Sequence, residues 1–544
     1  MATPLAVNRP SLRTDRAPRL ALGFPLLVGA AIASLSLLPY LLAYTMTPPG
    51  HHFAGFFFIA DDATTYLAKM RQGAAGAWTW NDPYTSEPHG GVFLFGFYLL
   101  LGHLGGLLHL PLIAVYHLAR ISGAIALVLT VDQLSRRLLG PPLRHLALTL
   151  VVLGSGFGFV AQLLGNPSVL GHQLEALDLH LPELTGFYSI LAIPHFAWAT
   201  ALIVASFIGL LRLAEEADWR VILTTGLTMT ALTAIHPQMI PVIVLVWLAY
   251  RAVLYAWGDR PRWRNLGAEV AAFTVTTPLL AYNAWILYRD PTIAEWASQW
   301  RHQAPAPLSL ALSLGLPLLA AMVGVVVAWR RRDRGLALVM VWPPLVILLL
   351  YAPNLANIQR RLLDAVYVPL GILAAVGLRA VTARLRPSRA RRVERLLMPA
   401  FCFSSAIVLA IALRFASGAF PEAYVANDAW QAMQWLSDHH RADDRVLSSP
   451  QAGLLIPAHS GVPVYVGHYS ETLDYFTKIK NVGNILRPSL PDWQVRSFLK
   501  TNGITILYWG PDENRAMAFN PQAHPYLQQI YQGGTVAIYR LVPN

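Results

Sequence analysis

The sequence predicts a polytopic α-helical membrane protein with a small soluble α/β domain at its C-terminus. Of the 544 residues, 55% are hydrophobic and only 13% are charged, a balance too apolar for an ordinary water-soluble protein. Apolar stretches long enough to cross a bilayer, roughly 17–25 residues each, recur along residues 20–416. They stop near residue 420, where the pattern changes to that of a soluble domain.

The distribution of charge separates the two parts of the chain. The formal net charge is +12, and residues 414–544 contain ten basic and ten acidic side chains, so the whole excess belongs to the membrane part. We interpret this basic excess as a signal for membrane orientation and not as affinity for nucleic acid. The only cysteine, Cys402, excludes a disulfide framework and a thiolate metal site.

Loops rich in arginine predict the topology, because such loops face the cytoplasm. They lie at residues 136–144, 212–220, 251–264, 330–334 and 379–395. Residues 1–19, with four arginines, form a predicted cytoplasmic tail before a retained signal anchor. Residues 20–416 form the predicted membrane domain with an external loop at 47–90, and residues 417–544 form the external domain. We expect the protein in the plasma (inner) membrane.

Whether the number of membrane helices is odd or even depends on the sides of the membrane on which the two termini lie. Twelve apolar segments can be counted, whereas an internal N-terminus and an external C-terminus require an odd total. Either one segment is re-entrant, near the glycine-rich break Gly154–Gly158, or one more remains unrecognised. We therefore expect 11 or 13 transmembrane helices.

Residues 417–544 combine helical and strand patterns, which predicts a compact α/β domain. A helix is expected over 427–438, with two more near 471–482 and 491–501. Strands are expected at 445–449, 463–466, 504–509 and 535–541, where β-branched and aromatic residues concentrate.

The first external loop contains the most informative residues. Asp61 and Asp62 follow an aromatic run at the predicted membrane surface, where carboxylates are costly to desolvate and mark functional sites. Tyr66 and Lys69 follow about one helical turn later, on a predicted interfacial helix. One aspartate could serve as a helix N-cap. Because capping needs only one of them, the pair favours a functional role.

The same loop continues with Asp82, Glu87 and His89. Carboxylates near a histidine could bind a divalent cation or shuttle a proton, which leaves Asp82 as a candidate metal ligand. Their spacing is not that of a regular metal site. Solvated loop residues are the alternative.

Two histidines lie beside prolines at predicted outward helix ends. His195 follows Pro194, and His236 precedes Pro237. Prolines free backbone groups that a polar cavity can satisfy, so either histidine could contact a phosphate or a sugar hydroxyl. A structural, hydrogen-bonded histidine is the alternative in each case.

Counting membrane crossings also places on the external side Gln359, Arg360 and Arg361. The positive-inside rule disfavours arginine there. Guanidinium forks match phosphate oxygens, so the two arginines could hold a lipid phosphate. Binding to ordinary anionic lipid head groups is the alternative. No Walker A sequence and no H-E-x-x-H sequence is present, so nothing indicates nucleotide hydrolysis or a zinc protease.

The arrangement resembles the GT-C superfamily of integral membrane glycosyltransferases, which includes protein O-mannosyltransferases and aminoarabinose transferases of lipid A. The pattern covers residues 20–416, and the match at the level of residues is confined to 56–98. It consists of the acidic pair, Tyr66, Gly76-x-Trp78 and Pro83-Tyr84. Those relatives often have Asp-Glu where this chain has Asp61-Asp62.

The resemblance implies a membrane glycosyltransferase with a polyprenyl-phosphate sugar donor and a glycan, lipid or protein acceptor. It assigns the catalytic base to Asp61 with Asp62 as its neighbour, and it leaves dependence on a divalent cation open. The candidate substrate-binding residues are then Tyr66, Lys69, Glu87, His89, His195, His236, Gln359, Arg360 and Arg361. A transporter or a non-catalytic envelope protein is the alternative, although a transporter would favour internal repeats and none is visible.

Overall fold

The computed structural model describes residues 23–169, 171–299, 301–353, 358–419, 423–487 and 490–542. Within these ranges, a bundle of apolar helices is followed by a small mixed sheet. The predicted tail at residues 1–19 lies outside the described residues.

Nine helices and three short strands make up the first part of the bundle. They are α1 (Gly23–Thr45), β1 (His51–Phe53), α2 (Ala60–Ala74), α3 (Phe97–Leu108), α4 (Leu112–Leu138), α5 (Pro141–Leu153), α6 (Gly158–Leu163), β2 (Ser168–Val169), β3 (His172–Gln173), α7 (Leu177–His180), α8 (Gly186–Ala192) and α9 (Pro194–Glu215). Proline occupies the first turn of α5 and α9, where its missing N–H costs nothing.

Nine further helices complete the bundle. They are α10 (Trp219–Thr233), α11 (Met239–Ala256), α12 (Trp263–Arg289), α13 (Pro291–Gln299), α14 (Pro307–Arg331), α15 (Ala337–Leu350), α16 (Tyr367–Thr382), α17 (Pro387–Phe401) and α18 (Phe403–Arg414). A short 3₁₀ helix, Gln359–Leu363, precedes α16. Helix α16 is buried along most of its length, between α14 and α5.

Seven helical segments of the described chain are long and apolar enough to cross a membrane. Helices α17 and α18 meet at a bend of 45° and could form an eighth span together. Three shorter apolar helices, α3, α15 and α16, accompany them. The predicted class, a multi-pass helical membrane protein with a C-terminal sheet, is confirmed. The expected total of 11 or 13 spans stays a prediction.

At the predicted glycine-rich break, the connection between α5 and α6 is in close contact with α14. Helix α5 ends at Leu153 and α6 begins at Gly158, while α14 bends at Gly315, where φ is +45°. A Cβ atom on Gly156 would lie 2.1 Å from the carbonyl oxygen of Ser313, so only glycine fits there. The break therefore lets the backbones of α14 and the α5–α6 connection touch.

The C-terminal part contains a four-stranded sheet. The elements of the whole C-terminal part are β4 (Tyr424–Ala426), α19 (Asn427–His439), β5 (Val446–Leu447), α20 (Pro450–Ser460), α21 (Tyr475–Ile485), α22 (Asp492–Thr501), β6 (Ile506–Trp509), α23 (Pro511–Ala516), β7 (Leu527–Gly533) and β8 (Val536–Leu541). The strand order is β5-β6-β8-β7, with β5 and β6 parallel and the other pairs antiparallel.

Most predicted C-terminal elements appear within a few residues of their expected positions. The expected strand at 463–466 is wrong, because only Val464 forms a bridge, to Val446. Strand β7 was not predicted, since it exposes glutamines and lacks a clear apolar alternation. Helix α20 was not predicted either, although Ser449 caps it by accepting from the N–H of Ala452 and Gly461 ends it with φ +82°.

The C-terminal elements pack directly on the first loop. Strand β1 pairs with β4 in an antiparallel ladder, and α2 packs against α20. From α2, Arg71 donates to the carbonyl oxygens of Ala458 at 3.1 Å and His459 at 2.5 Å. One apolar core continues from the helix bundle into the C-terminal elements. The first loop is therefore held between the bundle and the C-terminal domain.

Candidate functional site

Helix α2 places the acidic pair at its first turn. Its N-cap position is Ile59, which has left-handed backbone angles and makes no capping hydrogen bond from its side chain. Asp61 and Asp62 lie inside the helix, so neither acts as the N-cap. Asp61 is exposed, whereas the side chain of Asp62 is 25% exposed and its Oδ1 lies 3.2 Å from Nε2 of His468.

The two carboxyl groups have different electrostatic environments. Burial opposes the charge of Asp62, but the hydrogen bond and charge of His468 and the charge of Arg361 outweigh it and lower the pKa of Asp62. Burial raises the pKa of Asp61, His468 counteracts this, and the neighbouring Asp62 charge adds to the rise. Asp62 is therefore the more firmly ionised of the pair.

An aromatic and histidine cluster lies beside Asp62. The ring of Tyr66 stacks on Tyr98 with centroids 4.1 Å apart, and the hydroxyl of Tyr98 lies 2.8 Å from Nδ1 of His195. The ring of His195 is 5.0 Å from that of His236. Because His195 follows Pro194 at the start of α9, the break between α8 and α9 brings its imidazole to this cluster.

A buried carboxylate orients the second histidine. Nδ1 of His236 lies 2.5 Å from Oδ2 of Asp364, and both side chains are almost fully buried. Asp364 follows the 3₁₀ helix Gln359–Leu363, so this short helix ties the arginine segment to the histidine cluster. Gln359 starts the helix and is half-buried.

The two arginines of the 3₁₀ helix have different surroundings. Nε of Arg360 lies 3.3 Å from Oε1 of the buried Glu183, and its Nη2 lies 3.0 Å from Nδ1 of His302. Within the described ranges, Arg361 forms no ion pair, and its guanidinium lies 5.5 Å from the ring of Phe196.

The charges around these arginines explain two pKa shifts. Burial opposes the charge of Arg361, but the carboxylates of Glu183, Asp364 and Asp62 raise its pKa. Burial, assisted by the charges of Arg361 and Arg360, lowers the pKa of His302 to about 3. The His302 ring is therefore neutral, and its Nδ1 accepts a hydrogen bond from Arg360. Arg361 is a charged group near several carboxylates, and its guanidinium forms no ion pair or hydrogen bond with the described residues.

Lys69 lies in a second cluster, among aromatic rings and carboxylates. Its side chain is buried, with Nζ 4.8 Å from the ring of Trp80. Asp82 and Glu471 are also buried here, and Nε1 of Trp296 donates to Glu471 at 2.8 Å. Burial and the Glu471 charge raise the pKa of Asp82 well above its usual range, while Lys69 opposes this rise.

Glu87 links the first loop to the C-terminal domain, whereas His89 makes its contacts within the first loop. Oε2 of Glu87 accepts from Nζ of Lys478 at 2.7 Å. The backbone N–H of Asp82 donates to Nε2 of His89 at 2.9 Å, so Nδ1 of His89 carries the proton and donates to the Glu87 carbonyl at 2.8 Å. Both nitrogens of His89 are thus used within the loop. Among the described residues, no three histidine, cysteine or acidic side chains form a metal-binding group.

Several residues of the site were not singled out from the sequence. They are Tyr98, Glu183, His302, Asp364, His468 and Glu471. His468 and Glu471 occur in the run Gly467–Asp474, which is polar, aromatic and rich in hydrogen-bonding side chains and overlaps the start of the helix expected near 471–482. That composition is the one signal that could have indicated a site in the C-terminal domain.

No protein-family model and no curated protein sequence matches the chain. Solved structures do share its fold. The archaeal oligosaccharyltransferase AglB from Archaeoglobus fulgidus, in complex with an inhibitory peptide and a dolichol-phosphate, has a TM-score of 0.55 at 11% identity over 91% of this chain and 70% of that one. ArnT from Cupriavidus metallidurans, in the apo state, has a TM-score of 0.53 at 16% identity over 96% of this chain and 98% of that one.

A third similar structure is the arabinofuranosyltransferase AftD from Mycobacteria. Its TM-score is 0.53 at 15% identity, and the match covers 94% of this chain but only 40% of that one. At these identities the similarity establishes the fold. The likeness to the GT-C glycosyltransferases expected from residues 56–98 is confirmed at that level.

Proposed function

We propose that this chain, which has the fold of the GT-C glycosyltransferases, transfers a sugar from a polyprenyl-phosphate donor to an acceptor hydroxyl at the external face of the membrane. The observation that carries the proposal is the proximity of Asp62 to Arg361. They are distant in sequence but border one cluster: Tyr66, on the same helix as Asp62, stacks on Tyr98, whose hydroxyl contacts His195. Phe196, the next residue, lies 5.5 Å from the guanidinium of Arg361. A carboxylate and a guanidinium beside buried histidines suit proton removal and phosphate binding in one reaction.

In the proposed reaction, the acceptor oxygen attacks the anomeric carbon of the donor sugar. The bond between that carbon and the phosphate oxygen breaks, and both electrons leave with the phosphate. Asp62 takes the proton of the acceptor hydroxyl, with Asp61 as its neighbour. A single displacement of this kind inverts the anomeric configuration.

Arg361 is the proposed partner of the donor phosphate. Negative charge builds up on the phosphate as it leaves, and a guanidinium stabilises that charge. Arg360 is less suited, because Glu183 and His302 already engage it. His236, held by Asp364, and His195 are proposed to donate to phosphate or sugar oxygens.

The lipid-linked donor is supported by the printed ligands of two similar structures. The AglB complex contains a dolichol-phosphate, and ArnT has been solved bound to undecaprenyl phosphate, with a TM-score of 0.50. An external site also lies apart from cytoplasmic nucleotide sugars, so a lipid carrier is the chemically reasonable donor.

The test is a transfer assay on purified protein in lipid nanodiscs. Radiolabelled polyprenyl-phosphate hexose and pentose would be supplied with glycan, lipid and peptide acceptors, each with added Mg²⁺ or Mn²⁺ and with a chelator. We expect label to move to one acceptor class in wild type and not in Asp62→Asn. Donor binding without transfer to any acceptor would contradict the proposal and favour a transporter.

A further inference from the structure

The C-terminal domain inserts one loop into the site. We define the 467–474 loop as Gly467–Asp474, which lies between α20 and α21. Its residues are largely buried, including His468 at 1% side-chain exposure. No other C-terminal side chain of the described residues forms an ion pair with Asp62.

The 467–474 loop is fixed by contacts on two sides. Thr472 Oγ1 donates to the carbonyl of Tyr84 at 2.8 Å, and the N–H of Leu473 donates to Thr85 Oγ1 at 3.2 Å. On the side of α13, Trp296 donates to Glu471, and Gln299 Oε1 accepts from the N–H of Asp474 at 3.1 Å. The loop is therefore a rigid part of the site and not a surface connection.

The loop also sets the orientation of the His468 ring. The backbone N–H groups of Ser470 and Glu471 approach Nδ1 at 3.2 and 3.3 Å, and the Ser470 hydroxyl lies 3.1 Å from it, so in the neutral ring Nδ1 acts as an acceptor. In a neutral imidazole the proton then lies on Nε2. Nε2 is the atom that faces Oδ1 of Asp62 at 3.2 Å.

The groups facing His468 are mostly carboxylates, which favour a ring that donates from Nε2. Asp61 and Asp62 face it from α2, Glu471 from its own loop, and the Tyr84 ring lies 6.3 Å away in the first loop. Burial opposes protonation, while the carboxylates raise the pKa of His468. Nε2 carries a proton toward Asp62 in both the neutral and the protonated ring, because a second proton on Nδ1 would be accepted by Ser470 Oγ, 3.1 Å away.

We propose that His468 is a positioning residue and that the C-terminal domain completes the site by supplying it. Its Nε2–H holds the Asp62 carboxylate in one orientation and in the ionised form. This inference rests on the proposed function, in which Asp62 accepts the acceptor proton. It gives the C-terminal domain a role in the reaction itself, beyond covering the membrane domain.

The first experiment compares His468→Gln with His468→Ala in the nanodisc assay. The Gln amide places an N–H near the position of Nε2 but cannot carry a proton through the ring. We expect His468→Ala to lower kcat by about 10- to 100-fold, the usual effect of losing a hydrogen bond to a charged group. The KM for the donor should stay within about threefold, and His468→Gln should restore most of kcat.

A matched control comes from the same domain. His524 Nδ1 lies 2.7 Å from Asp492, so this pair has the same chemistry away from the first loop. We expect His524→Ala and His524→Gln to keep wild-type kcat. Equal loss of kcat in His468→Ala and His468→Gln would overturn the donor role and indicate proton transfer by the ring.

A second measurement does not depend on transfer activity. Nitrogen NMR of full-length protein labelled at histidine, with His468→Gln used for assignment, reports which ring nitrogen carries the proton. We expect the Nε2–H tautomer at neutral pH, and loss of its hydrogen-bond shift in Asp62→Asn. A ring protonated on Nδ1 alone, or no change in Asp62→Asn, would overturn the inference. If the tautomer is as expected but no sugar is transferred, the proposed function fails and the Asp62–His468 contact stands.

Discussion

Asp62 in the first loop and His468 in the C-terminal domain lie 3.2 Å apart, so two distant parts of the chain share one polar contact. This contact gives the two neighbouring aspartates different electrostatic surroundings. His468 and Arg361 lower the pKa of Asp62, whereas Asp61 is exposed and its pKa is raised. Asp62 is therefore the better candidate for the base, although the resemblance placed Asp61 first.

The first prediction concerns these two carboxylates. Asp62→Asn should lower kcat by about 100-fold or more, because general-base catalysis contributes typically 10²–10⁴-fold. Asp61→Asn should lower it by less than about tenfold, since Asp61 forms no ion pair among the described residues. Both substitutions are nearly isosteric, so equal expression and Tm are the controls. The opposite order of effects would assign the base to Asp61.

The sequence predicted the first loop well because its signals are local. The acidic pair and the helix that carries it lie within one continuous segment, and this helix is present as α2, Ala60–Ala74. Lys69, Glu87 and His89 were grouped with the site for the same reason. The structure instead places Lys69 against Trp80 and links Glu87 to Lys478, because tertiary packing decides where neighbouring side chains point.

The partners from distant elements could not be predicted from the sequence. Glu183, Asp364 and His468 each meet the site through the packing of separate helices or domains, and no local pattern encodes such contacts. The sequence also suggested equal roles for Arg360 and Arg361. Only the position of Glu183 shows that one arginine is paired and that the other is not within the described residues.

The second prediction concerns the pH dependence of transfer. Because the pKa of Asp62 is lowered in the folded protein, its charge persists at acidic pH, and kcat/KM should stay level from neutral pH down to about 5. In His468→Ala the carboxylate loses its main stabilising partner while its burial remains, so the acid limb should move to higher pH. His468→Gln should keep the wild-type profile. The measurement is kcat/KM between pH 4.5 and 8, with His524→Ala as control.

A superimposable profile in His468→Ala and wild type would contradict this prediction. It would mean that Asp62 owes its charge to Arg361 alone. Arg361→Lys, which keeps the charge, should leave the acid limb in place and so separates the two contributions.

The third prediction uses two buried aspartates with opposite shifts. The pKa of Asp82 is raised, by burial first and then by Glu471, so the folded state disfavours its charge. Asp82→Asn should therefore raise Tm at neutral pH, and the gain should vanish as the pH falls below about 4, where the unfolded chain is also protonated. Thermal unfolding between pH 4 and 8 measures this. A loss of Tm at neutral pH would mean that Asp82 is ionised.

Asp444 is the matched control with the opposite sign. Burial opposes its charge, but Arg540 at 2.8 and 2.9 Å and Thr505 at 2.8 Å lower its pKa. Its contribution is present above the unfolded pKa and is lost as the pH falls through the folded pKa. Asp444→Asn should cost about 1–3 kcal/mol at neutral pH, because it leaves the partly buried guanidinium of Arg540 without its carboxylate. The cost should shrink in acid.

The fourth prediction concerns topology. Strands β1 and β4 pair, so the first loop and the C-terminal domain lie on the same side of the membrane. The arginine-rich segment 379–395 precedes α18, which predicts that this side is external. A reporter fused at residue 542 should be active only as an external reporter, and one inserted at 332–334 only as a cytoplasmic reporter. A cytoplasmic signal at residue 542 would displace every proposed site residue from the external face.

The last prediction separates Arg361 from Arg360. Arg361→Ala should raise the Kd for a polyprenyl-phosphate sugar by roughly ten- to a hundredfold, because each charge-assisted hydrogen bond contributes about 1.5–3 kcal/mol. Arg361→Lys should be intermediate, since lysine keeps the charge but loses the fork. Arg360→Ala should change donor affinity little. It should instead destabilise the protein by about 1–3 kcal/mol, because Glu183 is left buried and unpaired.

The double variant Arg360→Ala with Glu183→Gln provides the control for that assignment. Removing both partners should recover much of the stability that Arg360→Ala loses, since no buried charge then remains unpaired. Titration of detergent-solubilised variants with the donor, together with thermal unfolding of each, gives both readouts. Equal donor affinity in wild type, Arg361→Ala and Arg361→Lys would remove the phosphate-binding role of Arg361. The donor phosphate would then have to be held by His195 and His236, whose alanine variants become the next to titrate.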